Sequence, residues 1–507
     1  MAQKAIAFTF RTHSAIVNCP DSEMKTIFLE GLDLLRACPE ILVRIQTDID
    51  AAAKRKKQVR QADAAWYRSR TITIPGMECD IQDFEEVILL DGRPRKMDAE
   101  STFFLMLVRG HISSVTSKVS VDRIADSRLI DAFFASRGLT VPAATTIHDY
   151  LQTVTHETRQ FIFEQLLNRI LSDGHDSMES LTIDSFSVAA NSKWPTDSRI
   201  LMGLLNRAFR IGSHLKQWGL PGFSEGRIPE WLHQLKHLNY TMALTAGKPR
   251  SKGKIKRYYR RFLKTVDKIL SRLIHQYSAC LPEWNQLDLA PSETCRVHEM
   301  ISQIEADLHS VIRVYTYTED RVFYNKVLPS PQKILSLSDT TAAFIKKGQR
   351  DPVIGYKPQV GRTRDGFISS FEIEPGNPSD SSRFQPMVER HIHNTGVTPK
   401  RISVDDGYSS KTVRLALCEN EEVVVSISGA KGKKIIPDEL WDTESYQDAR
   451  RNRSSVESLI FTLRYKFDLW SFSRRGLDGV RCELTEKVIV HNLWRSAYLK
   501  TRQKLAA

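Results

Sequence analysis

Three carboxylate side chains stand where their oxygens could hold divalent cations. Asp184 lies in an alternating, strand-like segment, and Asp405 ends the strand-like run 402–405. Glu457 lies in a later segment with a helical pattern. Carboxylates at the ends of neighbouring strands, with one more on a covering helix, can converge on two Mg²⁺ ions, which prefer oxygen ligands. Such a pair of ions drives in-line phosphoryl displacement, so the ordered set indicates metal-dependent phosphoryl transfer.

Each carboxylate also has an ordinary structural interpretation. A single Asp in a loop after a strand is more often a turn or capping residue than a metal ligand. Asp406 stands beside Asp405, so the assignment of the second ligand could be off by one residue. The metal-site hypothesis therefore depends on the ordered combination and not on any single residue.

The segment 445–467 around Glu457 is predicted to form one long helix. Its apolar stripe comprises Val456, Leu459, Ile460, Leu463 and Phe467. Another face carries Tyr446, Arg450, Arg453, Glu457 and Arg464. Guanidinium groups bind phosphate oxygens in a forked geometry, so Arg450, Arg453 and Arg464 are predicted to contact DNA. The alternative for this face is a surface ion pair between Arg453 and Glu457, one helical turn apart.

The elements that must position these residues alternate between strands and helices. Segment 181–192 is predicted as a strand, and the cap-rich Thr196-Asp197-Ser198 opens the helix that follows it. Strands are then predicted in KILSLS, VIGYKPQV and FISSFEIEP, the last two joined by a tight turn at Asp365-Gly366. The helix 381–396, the strand RISVDD, the helix 409–420 and the strand EVVVSIS follow. The pattern predicts an α/β core interrupted by a helical stretch at about 205–325.

Two further segments have patterns that suit DNA binding. Residues 97–174 contain short amphipathic segments and a turn-then-helix pattern, which predicts a helix-turn-helix-like unit or a purely structural three-helix module. Residues 248–268 form the densest positive block in the chain. We predict that Lys252, Lys254, Lys256 and Arg257 in this block contact DNA. The alternative is a solvated helix face.

The composition agrees with a soluble, modular, nucleic-acid-binding protein. With 41% hydrophobic and 26% charged residues in 507, the chain has enough apolar side chains for several cores, which argues against global disorder. The 73 Lys and Arg exceed the 60 Asp and Glu, giving a net charge of +13 that favours a polyanionic partner. The seven scattered cysteines suggest neither a disulfide framework nor a zinc finger. No segment looks like a signal peptide or a membrane span.

Four segments together resemble the DDE transposases of bacterial insertion sequences. They are LTIDSFSVAANSKWPTDSRIL, ISVDDGYSS, RNRSSVESLIFTLRYKF, and PQKILSLSDTTAAFIKKG followed by VIGYKPQV. The second contains what looks like the family's D-x-G-Y pattern, in which the ligand stands two residues before the glycine and is therefore Asp405. The resemblance runs from about residue 97 to 500. The related signature around the glutamate matches at Arg453 and Glu457 but has Arg450 in its Tyr position and Arg464 in its Lys position.

The resemblance implies an RNase H-like catalytic core with Asp184, Asp405 and Glu457 as catalytic, metal-binding residues. It implies two Mg²⁺ ions, for which Mn²⁺ could substitute, cleavage at the ends of the element, and strand transfer by a 3′-hydroxyl. The expected partners are double-stranded DNA, both terminal inverted repeats and target DNA, and a second copy of the chain in a homodimer on DNA. We expect the protein in the bacterial cytoplasm, associated with the nucleoid, with no membrane contact.

The expected architecture is an α/β RNase H-like core interrupted by a mostly helical insertion and preceded by a helical region. The predicted segments are an N-terminal region 1–96, a DNA-binding unit 97–174, a catalytic domain 175–204 plus 330–475, a basic insertion 205–329 and a C-terminal helix 476–507. Two other functions stay open: a nuclease of the same fold without strand transfer, and an inactive relative that only binds DNA.

Overall fold

A computed structural model describes residues 12–69, 97–112, 127–192, 196–220, 226–326, 329, 333–346, 351–409 and 423–506. The chain divides into two compact units. The first comprises residues 1–52, 92–191 and 341–507, and the second comprises 53–91 and 192–340. Within the described ranges, no helix is both long enough and apolar enough to cross a membrane. The finer division into five segments stays a prediction.

The described residues are mostly helical, with strands only in the first unit. The helices are α1 Glu23–Ala37, α2 Glu40–Arg68, α3 Ala99–His111, α4 Arg128–Ser136, α5 Ala144–Thr153, α6 His156–Ser172, α7 Asp197–His214, α8 Ile228–Thr245, α9 Lys252–Trp284, α10 Pro291–Tyr324, α11 Phe384–Thr395, α12 Ala430–Ile435, α13 Asp438–Trp441, α14 Glu444–Asn452, α15 Ser455–Tyr465 and α16 Leu477–Ala506. The strands are β1 Ser180–Ser185, β2 Val188–Ala189, β3 Ala343–Ile345, β4 Val353–Tyr356, β5 Gln359–Arg362, β6 Ile368–Glu372, β7 Arg401–Asp405 and β8 Val424–Ser428.

A mixed five-stranded sheet forms the centre of the first unit. Its order is β6-β5-β1-β7-β8, with β6, β5 and β1 antiparallel and β1, β7 and β8 parallel. The predicted turn between β5 and β6 is confirmed, with Gly366 at φ +95°, a backbone conformation that favours glycine. Strands β2, β4 and β3 form a separate small sheet.

The two faces of the large sheet carry different side chains because strand residues alternate. Leu181, Ile183, Ile402 and Val404 belong to an apolar cluster with residues of α11. The opposite face is polar and lies against α14. There Asn452 Nδ2 donates to Thr182 Oγ1 at 3.2 Å, and Ser403 Oγ donates to the Ala449 carbonyl at 2.5 Å. Asp184 and Asp405 each lie two residues after Thr182 and Ser403 and are therefore on the same polar face.

The long helix α16 is the other organising element of the first unit. It packs against α1, α3 and α6. The second unit is a helical bundle in which α10 packs against α7 and α9, and α8 against α9, around a shared apolar core. At the edge of this core, the half-exposed Arg207 donates both Nε and Nη2 to the buried carboxylate of Asp307, at 2.8 and 2.6 Å.

The prediction of one helix over 445–467 is wrong. Helix α14 ends at Asn452 and α15 begins at Ser455. Ser454 Oγ donates to the Arg451 carbonyl at 3.3 Å, and Ser455 Oγ donates to the Asn452 carbonyl at 2.5 Å. Side chains that bind nearby backbone groups compete with the helix ladder, and two adjacent serines do so here. Arg450 therefore lies in α14, Arg453 in the break and Arg464 in α15.

Two other helical stretches of the chain are also interrupted. The segment 21–60 breaks between α1 and α2 at Pro39, which has no N–H to donate and disfavours helix in the residue before it. The segment 146–171 breaks between α5 and α6, where Thr155 Oγ1 caps α6 by accepting from the Thr158 N–H. The predicted helix 409–420 lies almost wholly outside the described residues.

The prediction of a strand in KILSLS, residues 333–338, is wrong. These residues form no strand. Ser336 Oγ accepts from the N–H groups of Ser338 and Asp339, which folds the backbone into a turn. Ile334 and Leu337 pack against the apolar core of the helical unit. The alternating pattern therefore reflects a loop that covers a helical core.

Candidate active site

The register of two parallel strands brings Asp184 and Asp405 side by side. Strand β1 pairs with β7 through Ser180 opposite Arg401 and Thr182 opposite Ser403. Continuing that register by two residues aligns Asp184 with Asp405. Because residues two apart share a face, both carboxylates lie on the polar side of the sheet. Asp184 and Asp405 are therefore neighbours in space although 221 residues separate them in sequence.

Each aspartate is held by a backbone hydrogen bond. Asp184 Oδ1 accepts from the Ser185 N–H at 2.7 Å, and Asp405 Oδ1 accepts from the Gly407 N–H at 2.9 Å. A Cβ at Gly407 would lie 2.9 Å from Asp405 Oδ1, so a side chain at this position would displace the carboxylate. The glycine of the D-x-G-Y pattern thus lets the Asp405 carboxylate approach the backbone closely.

The neighbouring Asp406 faces a different group. Its Oδ1 accepts from the Gly432 N–H at 3.0 Å, at the start of α12. A Cβ at Gly429 would lie only 2.2 Å from Asp406 Oδ2, so this carboxylate fills the space beside Gly429. Asp406 therefore ties β7 to the segment after β8, whereas Asp405 faces Asp184.

One guanidinium group contacts all three carboxylates. Arg453 Nη2 lies 3.1 Å from Asp184 Oδ2 and 3.8 Å from Asp405 Oδ2. Arg453 Nη1 lies 3.6 Å from Glu457 Oε1. The break after α14 positions Arg453 over the ends of β1 and β7, and the first turn of α15 then presents Glu457. The ion pair between Arg453 and Glu457, which was the alternative interpretation of this face, is therefore one contact within a larger cluster of charges.

The three carboxylates differ in their exposure. The side chains of Asp184, Asp405 and Glu457 are 7%, 32% and 70% exposed. Within the part of the chain that the structure describes, no group of three Asp, Glu, His or Cys residues is close enough to hold a metal ion. In this conformation the Arg453 guanidinium bridges the three carboxylates.

Comparison with known protein families shows which family part of this chain resembles. Residues 332–493 match the family described as transposase DDE domain. This matched part, about a third of the chain, is similar to the DDE domain of transposases. The resemblance found in the sequence motifs is thereby confirmed. The matched range includes Asp405 and Glu457 but begins after Asp184. No curated protein and no solved structure matches the chain.

The other two arginines predicted to act in this transposase domain lie apart from the cluster. Arg450 lies over the ring of Trp441, 4.8 Å from its centroid. Arg464 Nη2 donates to the Ser187 carbonyl at 2.9 Å, and its guanidinium lies 5.1 Å from the Trp470 ring centroid. Arg464 therefore already holds the segment between β1 and β2, where its contacts stabilise the fold.

A second polar group beside the aspartates was missed from the sequence. Asp380 Oδ1 accepts from Gln359 Nε2 and from Lys357 Nζ, each at 2.9 Å. Burial by itself raises the pKa of Asp380, but these hydrogen bonds and one from Ser185 bring it below its usual value. Tyr408 donates its hydroxyl proton to Gln359 Oε1, and burial raises the pKa of this hydroxyl.

Exposed aromatic side chains on α15 and shortly after its end were also missed. Phe461, Tyr465 and Trp470 are 60%, 62% and 46% exposed. The rings of Phe461 and Tyr465 lie 4.2 Å apart, and those of Tyr465 and Trp470 lie 5.0 Å apart. Phe461 and Tyr465 follow Glu457 at intervals of four residues, so they continue its helix face. The signal in the sequence was this i, i+4, i+8 spacing outside the buried stripe.

The predicted basic block begins helix α9 in the helical unit. Lys252, Lys254 and Arg257 are exposed, and Lys256 is half-buried. The opposite face of the same turns buries Phe262 and Leu263. The block is therefore an exposed basic helix face over an apolar core.

Proposed function

We propose that this transposase cleaves DNA at the ends of an insertion sequence and joins them to target DNA, with Asp184, Asp405 and Glu457 as its metal-binding carboxylates. The observation that carries the proposal is the contact of one guanidinium, Arg453, with all three carboxylates. Three acidic residues from distant parts of the chain converge on a single positive charge. A cluster of oxygen ligands that shares a cation in this way suits divalent metal ions.

The sheet supports an RNase H-like assignment of the catalytic domain. In chain order, three antiparallel strands β1, β5 and β6 precede two strands, β7 and β8, that are parallel to β1. The first and fourth of these five strands carry Asp184 and Asp405 toward one face. The helix α15, which contributes Glu457, packs against β1. This arrangement is the one expected of an RNase H-like core with a DDE site.

The donor set fits two Mg²⁺ ions, or Mn²⁺ in their place. All three candidate ligands supply only carboxylate oxygens, which these hard cations prefer. When bound, two such ions activate the attacking oxygen and stabilise the leaving oxygen of a phosphodiester. Backbone N–H groups of Ser185 and Gly407 bind Oδ1 of each aspartate, and Oδ2 of each lies within 4 Å of Arg453 Nη2.

The arginines near the carboxylates suit the phosphates of the bound strand. Arg453 Nε and Nη1 are buried and have no hydrogen-bond partner among the described residues. Buried N–H groups without a partner are costly, so a phosphate oxygen that accepted from them would stabilise the complex. We also propose that Arg450 and Arg464, which lie apart from the carboxylate cluster, contact phosphates of the bound DNA.

The remaining parts of the chain would hold the DNA. We propose that residues 97–174 supply sequence recognition of the terminal inverted repeats and that the basic face of α9 binds the backbone. We further propose that the transposase acts as a homodimer on DNA in the bacterial cytoplasm, on the nucleoid.

The deciding experiment supplies the purified chain with the ends of its own element. We expect Mg²⁺-dependent release of a 3′-hydroxyl at each end and joining of that end to a target plasmid. Cleavage without joining would favour the nuclease alternative. Binding without cleavage, in Mg²⁺ and in Mn²⁺, would favour an inactive relative and overturn the catalytic proposal.

Neutralising the basic face of α9 is expected to weaken binding to every DNA sequence about equally. Lys and Arg side chains on phosphates carry little base information, so replacing Lys252, Lys254, Lys256 and Arg257 with Gln should lower specific and nonspecific affinity together. The slope of log affinity against log salt should become less steep by up to about 4. The matched control changes the three lysines to Arg, which keeps the charge. A selective loss of terminal-repeat binding would instead assign sequence recognition to α9.

Replacing Arg464 with Ala is expected to weaken binding of cleaved ends and to reduce its salt dependence by about one phosphate contact. Because Arg464 also donates to the Ser187 carbonyl, the variant should lose some thermal stability as well. The control Arg464→Lys keeps the charge but loses the forked geometry. An unchanged salt slope, with only the stability lowered, would make Arg464 a purely structural residue.

A further inference from the structure

A cavity lined by several arginines lies in the first unit, at the start of α16 and away from the three carboxylates. Its volume is about 480 Å³, and its lining includes Arg109 of α3, His148 and Gln152 of α5, and Arg474 and Arg475 of the loop before α16. We call this cavity the arginine pocket. None of these residues takes part in the proposed catalytic site.

The charges around the arginine pocket do not balance. A single carboxylate, Glu486, accepts from three guanidinium groups: Arg109 Nε and Arg159 Nε at 2.7 Å each, and Arg474 Nη2 at 3.2 Å. The other nearby carboxylate, Glu483, is occupied by the N–H groups of residues 473 and 474 and by the Ser473 hydroxyl. With Arg475, four guanidinium groups stand against two carboxylates.

One edge of a buried guanidinium is left for a ligand. Arg109 is 4% exposed and uses Nε and Nη2 for Glu486, so its Nη1 is turned away from that carboxylate. Among the described residues, Nη1 is buried and has no hydrogen-bond partner. Burial lowers the pKa of Arg109 to about 10, with further lowering from its positive neighbours, which leaves it charged at neutral pH. A buried donor of this kind is costly unless an acceptor meets it.

Arg475 supplies a second unpaired donor at the mouth of the pocket. It is exposed, and no ion pair or hydrogen bond engages it within the described part of the chain. Guanidinium groups match the geometry of phosphate oxygens and bind them with two parallel hydrogen bonds. The pocket thus offers a buried donor in Arg109 and an exposed one in Arg475. The two nearby carboxylates, Glu483 and Glu486, already accept hydrogen bonds from other groups.

We propose that the arginine pocket binds a phosphate group through Arg109 and Arg475. The phosphate belongs either to a DNA backbone that passes the mouth of the pocket or to a free phosphate compound. This inference does not depend on the assignment of the catalytic carboxylates, because the pocket and those residues share no side chain.

Inorganic phosphate is the probe for the site. The full chain is titrated with phosphate against chloride at constant ionic strength, and the unfolding midpoint is followed, since a ligand that binds the folded state raises it. We expect phosphate to raise the midpoint of the wild type. In Arg475→Gln we expect the phosphate affinity to fall by roughly tenfold or more, the effect of losing one charge-assisted bond.

The matched control is Lys54→Gln, which removes one exposed positive charge from α2. It should keep the wild-type response to phosphate. Arg109→Lys keeps the charge but removes Nη1 and should abolish the response. Because Arg109 is buried, that variant could fold poorly, and Arg475→Gln then decides alone. Equal midpoints in phosphate and chloride for the wild type, or an equal phosphate response in Arg475→Gln, would overturn the proposal.

A second arm distinguishes the two sources of phosphate. If DNA is the source, Arg475→Gln should lower the affinity for a random duplex and reduce the salt slope by about 1, while Lys54→Gln does not. Phosphate should also compete with the duplex. If a free phosphate compound is the source, Arg475→Gln should lose phosphate binding with unchanged affinity for DNA.

Discussion

Asp405→Asn is expected to abolish cleavage of the element's ends, whereas Asp406→Asn is expected to leave most of the activity. The two residues are adjacent in sequence, and both variants remove one negative charge. The difference lies in what each carboxylate faces. Asp405 shares the Arg453 guanidinium with Asp184, and Asp406 accepts from the Gly432 N–H.

The size of the effect follows from the chemistry proposed for Asp405. A carboxylate that holds a cation beside the reacting phosphate acts most strongly in the transition state, where charge develops on the attacking and leaving oxygens. Losing one such stabilising group costs about 100-fold to 1,000-fold in rate. The Asn that replaces Asp406 keeps an oxygen acceptor for the Gly432 N–H, so the contact that ties β7 to α12 can persist.

Cleavage of labelled element ends in Mg²⁺ measures both variants, and thermal unfolding checks that both remain folded. Asp184→Asn serves as the positive comparison and should lose activity to the same extent as Asp405→Asn. If Asp406→Asn instead loses activity while Asp405→Asn keeps it, the second metal ligand is Asp406 and not Asp405. Equal and full activity in all three variants would exclude the carboxylate cluster as the catalytic site.

The positions of the two aspartates could be anticipated because strand periodicity is a local signal. An apolar run that ends in Asp, such as 402–405, predicts both a strand and a carboxylate at its end. The parallel pairing of β1 with β7 could not be read from periodicity, because register depends on contacts between residues more than 200 positions apart. The resemblance in the motifs supplied that association instead.

The break between α14 and α15 had a local signal that the helical pattern concealed. The sequence Asn452-Arg453-Ser454-Ser455 contains three residues whose side chains compete for backbone groups, yet the apolar spacing continues through it. The contacts of Asp380 with Lys357 and Gln359 had no local signal at all. They form because the chain on either side of the β5–β6 hairpin returns to the same edge of the sheet.

Glu486→Gln is expected to lower the free energy of unfolding by about 3–5 kcal/mol, the range for breaking a buried charge pair and leaving its partner uncompensated. Glu486 is fully buried and accepts from Arg109, Arg159 and Arg474. These arginines come from α3, from α6 and from the loop before α16, so one carboxylate joins three separate segments. A neutral amide would leave three buried or half-buried guanidinium groups without their counter-charge.

Urea unfolding of the full chain measures this loss. The matched control is Glu457→Gln, which makes the same chemical change at a side chain that is 70% exposed. Surface substitutions of this kind usually change stability by less than about 0.5 kcal/mol. Equal stabilities for the two variants would mean that the contacts of Glu486 contribute little to folding.

The pH dependence of stability gives an independent check on Glu486. Burial alone raises the pKa of this carboxyl, but Arg109, Arg474 and Arg159 outweigh it and lower the pKa to about 2 from an ordinary value of 4.5. Because the folded-state pKa is depressed, the stabilisation is complete above the unfolded-state value and is lost as the pH falls from about 4.5 toward 2. Wild-type stability should therefore fall more steeply than that of Glu486→Gln below pH 5, and the two curves should converge. Parallel curves would mean that Glu486 binds its proton equally well in the folded and unfolded chains.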